Sequence, residues 1–163
     1  MPLRRLTELA LLTATALIIF VVELHFPDIL PLPGVKLGLA NIITVVAVYR
    51  YRPAETALLV ASRVLLGTFF SGNPSALLYS AAGAALCLAG MLAVRPVLPV
   101  RYLWLCSVIG ALFHNTGQIA AAVIVTGSTA VVSYLPILLL AGGIAGLFTG
   151  LCAQAVIGRL QPP

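Results

Sequence analysis

Between Trp104 and Val125 the chain stays apolar for longer than the roughly 20 residues a helix needs to cross a bilayer, yet it carries His114, Asn115 and Gln118 near its middle. This stretch restricts the fold more than any other. An ionisable or amide group at that depth is costly unless it faces protein, ligand or trapped water. His114 and Gln118, at i and i+4, share a helix face with Gly110 and Ala121, while Asn115 is turned about 100° away. Two readings are open: interhelical hydrogen bonds that brace a bundle, or groups that meet a ligand.

The rest of the chain is of the same kind. Of its 163 residues 61% are hydrophobic and 8% charged, and the mean hydropathy is +1.14, values that exclude a soluble domain. The nine Lys and Arg outnumber the four Asp and Glu, but they flank apolar runs instead of forming a basic stripe, which disfavours nucleic-acid binding. Cys87, Cys106 and Cys152 are odd in number and lie apart inside apolar runs, so neither a disulfide framework nor a metal site is expected. No cofactor motif, nucleotide-binding fingerprint or nucleophile elbow occurs.

Breaks at Pro, Gly and Arg divide the chain into six helices, expected at 6–24, 35–50, 54–70, 75–94, 102–125 and 132–157. The fold class is thus all-α, a single polytopic domain with six transmembrane helices. The first apolar run continues to Leu24, too far for a cleaved signal peptide, and is read as a retained span. The second is short for a hydrocarbon core of about 30 Å. Its start is expected to dip below the interface or to be shielded by its neighbours. Gly142, Gly146 and Gly150 form a stripe suited to helix contact.

Charge sets the orientation. With six spans and a cytoplasmic N-terminus, Arg4, Arg5, Arg50, Arg52, Arg95, Arg101 and Arg159 fall inside, and Lys36 alone falls outside. That bias predicts both termini in the cytoplasm of a multi-pass protein of the cell membrane. Arg63 falls about ten residues into the third span, roughly 15 Å deep, near the midplane. An arginine there needs a partner: backbone carbonyls or Asn41 on a structural reading, an anionic or strongly polar ligand on a functional one. Lys36 either snorkels to the headgroups or reaches an anion from above. Glu23, His25 and Asp28 are expected to be solvated at the outer interface. Asn41, Arg63, His114 and Gln118 can lie at similar depth.

Three stretches, Pro33-Gly34-Val35-Lys36-Leu37-Gly38-Leu39-Ala40-Asn41-Ile42, Ser62-Arg63-Val64-Leu65-Leu66-Gly67 and Gly110-Ala111-Leu112-Phe113-His114-Asn115-Thr116-Gly117-Gln118, with Tyr134-Leu135-Pro136 before a glycine-rich last helix, resemble the Gx transporter family, also labelled heptaprenyl diphosphate synthase component I. The resemblance covers nearly the whole chain. In size and span number that family is similar to the substrate-binding S components of energy-coupling-factor transporters. The likeness implies an S-component-like bundle that captures a small molecule outside and works with a transmembrane coupling subunit and two ATPases. It also implies that Ala10 and Ala14, a small-xxx-small pair on the first helix, contact the coupling subunit.

The leading expectation is therefore a non-enzymatic, substrate-binding membrane subunit for a small polar or anionic solute, such as an isoprenoid or quinone precursor. Lys36, Asn41, Arg63, His114, Asn115 and Gln118 are its candidate binding residues. The alternative is a non-catalytic membrane subunit or scaffold of a polyprenyl diphosphate synthase. Prenyl elongation holds diphosphate through magnesium on clustered aspartates, and this chain has one, Asp28. A stand-alone ion-coupled carrier is a third possibility, with His114 as its titratable group.

Overall fold

The computed structural model describes residues 3–25 and 38–160. Its helices are α1 (Leu3–Leu24), α2 (Asn41–Arg50), α3 (Pro53–Ser71), α4 (Ala76–Val94), α5 (Leu103–Thr126) and α6 (Leu135–Leu160), with short 3-10 segments before α5 and α6 and no strand among the described residues. All except α2 are long and apolar enough to cross a membrane. The boundaries lie within about three residues of those expected from sequence, apart from the start of α2.

That helix begins at Asn41, not at residue 35. Gly38 adopts a left-handed backbone with φ of 68°, a conformation that suits glycine and interrupts a right-handed helix. Its amide donates to the Glu23 carboxylate on α1. The Asn41 amide then donates to the Gly38 carbonyl at 2.8 Å, closing a turn that leads into the helix. Gly38 and Asn41 are therefore joined by a turn and share no helix face. At the start of α6 a smaller difference arises because residues 129–134 form a 3-10 segment, and Pro136 then sits in the first turn, where a missing N–H costs nothing.

At 10 residues α2 extends only about 15 Å, half of a hydrocarbon core. It needs no more, because it is the centre of the bundle. The other helices follow one another around it in the order α1, α3, α4, α5, α6, and α2 touches all five. Thr44, Val45, Val46, Ala47 and Val48 are buried in succession, a run that occurs when a helix is covered on every side. One side packs with Cys87, Met91, Leu103, Cys106, Ala153 and Ile157. Another packs with Leu9, Leu59, Val60 and Ala84.

Close approach fastens the bundle where α5 meets its neighbours. A methyl group on Gly117 would stand 2.6 Å from the Ala82 carbonyl, and one on Gly150 would stand 2.6 Å from the Trp104 Cα. Side chains are excluded there, and the helices gain contact along their backbones. The expected glycine stripe of α6 thus lies on α5.

The arginines gather at one end. Arg5 pairs with Glu55 at 3.1 Å, and Arg95 donates to the Tyr51 carbonyl at 3.3 Å, which brings the N-terminus and both basic turns together. At the far ends of α1 and α3 lie Glu23 and Ser71.

Candidate functional site

Arg63 belongs to the inward stripe of α3. Thr56, Leu59, Val60 and Gly67 are buried, and Arg63 follows Leu59 and precedes Gly67 by four residues each, one helical turn. Its Nε is sealed from the surface without a hydrogen-bond partner. The ion pairs among the described residues join Arg4 to Glu8 and Arg5 to Glu55, so Arg63 has no carboxylate at contact distance. Within electrostatic range are Glu23 of α1, Cys87 of α4 and His114 of α5. An arginine at the middle of a membrane helix costs about 3 kcal/mol even by lenient insertion scales.

Glu23 is the group that sequence reading misplaced. It is 7% exposed, not solvated at the interface, and it accepts from the Gly38 amide. The signal was present in α1: Leu9, Ala16 and Glu23 are its buried residues, one heptad apart and therefore on one stripe. A position near a helix end suggested water. The periodicity pointed inward.

His114 and Gln118 meet α4 together at Gly83. A methyl group there would lie 3.0 Å from His114 Cε1 and 2.9 Å from Gln118 Cγ. A backbone hydrogen bond to Gly83 holds the imidazole, and Nδ1 is buried with no partner. His114 and Gln118 therefore sit together between α4 and α5, with Arg63 of α3 in electrostatic range of His114 and Glu23 of α1 in electrostatic range of Arg63. Asn41, half-buried at the start of α2, has its amide beside Gly38, next in line to Glu23 through that turn.

Asn115 is elsewhere. Buried at 8% exposure, it donates from Nδ2 to the Leu138 carbonyl of α6, and Gly142 leaves the space it occupies. That bond joins α5 to α6, as does a buried hydroxyl pair about two turns away, Ser107 and Thr149, at 3.1 Å. Lys36 lies outside the described residues. Ala10 and Ala14 are on the outward surface of α1, where none of the described helices covers them. A cavity of about 310 Å³ opens away from the Arg63 region, at the arginine end.

Chemically, the described residues of the Arg63 region offer one fixed positive charge, one imidazole and one amide, opposed by a single carboxylate that is already engaged by an N–H. In a low-dielectric setting such donors bind an anion or strong dipole more firmly than they would in water. Among the described residues no three His, Cys, Asp or Glu gather as metal ligands.

No curated protein and no solved structure matches the chain. The family model described as heptaprenyl diphosphate synthase component I matches residues 12–156. That span runs from the first helix into the last and takes in Glu23, Arg63, His114 and Gln118, so the chain belongs to the heptaprenyl diphosphate synthase component I family.

Proposed function

We propose that this chain is a solute-binding membrane subunit, working with a coupling module of the energy-coupling-factor type, and that Arg63 is the principal contact for a small polar or anionic solute. The observation that supports this reading is the pair of unpartnered buried nitrogens, Arg63 Nε and His114 Nδ1, in one electrostatic neighbourhood between three helices. A group that only braces a bundle ends with its hydrogen bonds made, as Asn115 does. His114 and Gln118 orient the solute in this scheme, and Asn41 and Lys36 border it. The arginine end faces the cytoplasm of the cell membrane, so the solute enters from the side of Glu23. The outward pair Ala10 and Ala14 offers a close-approach surface for a coupling subunit, and two ATPases supply the energy. The chain performs no catalysis of its own in this reading. Arg63→Ala is expected to abolish solute binding and uptake while the protein still inserts and runs as a single species. Normal uptake by that variant would contradict the proposal.

A second reading is favoured by the family's name, which describes a component and so implies a partner subunit. In it the chain is a non-catalytic membrane scaffold for a soluble prenyl diphosphate synthase. Co-purification separates the two. Recovery of a coupling subunit with ATPases supports transport, whereas recovery of a synthase whose product formation rises with the complex supports the scaffold.

A further inference from the structure

The cavity at the arginine end is an open cleft of about 310 Å³ lined by Arg4, Arg5, Glu8, Arg50 and Tyr51. It is a constructed wall, not a chance gathering of surface charge. Tyr51, 5% exposed, donates its phenolic hydrogen to Glu8 at 3.2 Å, and its carbonyl accepts from Arg95. The Arg5 guanidinium lies over the Tyr51 ring, 5.6 Å from its centroid. Glu55 fixes Arg5 from behind at 3.1 Å and with its other oxygen caps α3 by accepting from the Arg52 amide at 2.9 Å. Burial, followed by the bond to Glu8, pushes the Tyr51 phenol above its ordinary pKa of 10.0, so it stays neutral against the carboxylate.

The charges do not balance. Glu8 is shared between Tyr51 and Arg4, the latter at 3.4 Å, and Glu55 is taken up by Arg5 and the helix cap. Arg50 has no carboxylate partner among the described residues, and its polar neighbour is Tyr51. Arg52 and Arg95 add to the excess at the same end. Three guanidiniums of α1 and α2 line this cleft, Arg4 from its exposed rim, a set that suits an anion with oxygens on several sides, which a phosphate has and a carboxylate lacks. The volume is at the lower limit of small-molecule sites, about 300 Å³, enough for a headgroup but not for a lipid tail. Beside the cavity, α1 and α3 turn outward Leu3, Leu6 and Leu58, an apolar surface along which a tail can run.

We propose that this pocket binds the phosphate or diphosphate headgroup of an amphiphile whose apolar chain lies along α1 and α3. The site is at the opposite end of the bundle from Arg63 and does not depend on the solute-binding reading. Two sources share the chemistry, an anionic phospholipid and a prenyl-type diphosphate ester.

The test uses the full chain in neutral detergent, with thermal stabilisation titrated against inorganic pyrophosphate, farnesyl diphosphate and phosphatidylglycerol. At least one amphiphile is expected to stabilise the protein saturably and more tightly than pyrophosphate. Arg50→Gln and Arg4→Gln should each weaken it by about tenfold. Arg101→Gln, at an exposed arginine over the Tyr102 ring, should leave it within about twofold. Tighter binding of farnesyl diphosphate assigns the pocket to a diphosphate ester, and tighter binding of phosphatidylglycerol assigns it to a membrane lipid. The proposal is overturned if no amphiphile saturates, if the Arg50 and Arg4 variants bind as the parent does, or if Arg101→Gln loses as much as they do.

Discussion

His114 and Asn115 are adjacent on α5, equally deep, and end in opposite states. Asn115 turns to α6, where the Leu138 carbonyl accepts its hydrogen and Gly142 makes room for it. His114 turns to α4 and α3 and keeps a buried nitrogen without a partner, in electrostatic range of an arginine in the same condition. One helix therefore carries a finished face and an unfinished one. Polarity inside a membrane does not by itself signal binding. What distinguishes the two faces is whether the hydrogen-bonding capacity has been used.

The difference can be broken or sharpened by substitution. The largest effect should come from Arg63→Ala, which removes the one full positive charge that the described residues place on the unfinished face. Solute binding, read by isothermal titration or by uptake in proteoliposomes, should fall below detection while thermal stability holds or rises, because a costly buried charge is gone. On the finished face, Gly150→Val places a side chain against the Trp104 backbone and should lower stability by about 1–3 kcal/mol in a detergent unfolding titration. Asn115→Ala should lower it by about 1–3 kcal/mol, the cost of an orphaned buried carbonyl, with solute affinity kept within about threefold. Ser107→Ala, which loses the bond to Thr149, should cost about 0.6 kcal/mol. An Asn115→Ala variant that loses binding but not stability would erase the contrast.

The smallest effect lies at the arginine end and is alkaline. Tyr51 has its pKa raised above 10.0 by burial and by Glu8, so the folded state favours the neutral phenol. Its contribution is fully present below pH 10 and is lost as pH rises through the higher folded value. Melting midpoints followed upward from pH 9 should therefore decline less steeply in Tyr51→Phe than in the parent.

Much of this was legible in the sequence because the bilayer imposes it. Five long helices, their glycine contacts and the clustering of arginines follow from run lengths, small residues and charge. The pairing of His114 with Gln118, and the divergence of Asn115, follow from 100° of rotation per residue. Three features did not follow. The start of α2 at Asn41 depends on Gly38 donating to Glu23 across the bundle, a tertiary contact with no local signature. The burial of Glu23 was hidden by its position near a helix end, although Leu9 and Ala16 marked its stripe. Centrality also eluded the sequence: a short apolar helix can be an incomplete span or a core, and only its five covered neighbours decide for the core.

The most direct measurement is quantitative mass spectrometry of small molecules released on denaturing the purified parent and its Arg63→Ala variant, prepared side by side from the same cells. A solute site on the unfinished face requires one compound near equimolar with the parent and absent from the variant. Equal amounts in both, or no retained compound in either, would mean that the open nitrogens of α3 and α5 receive nothing.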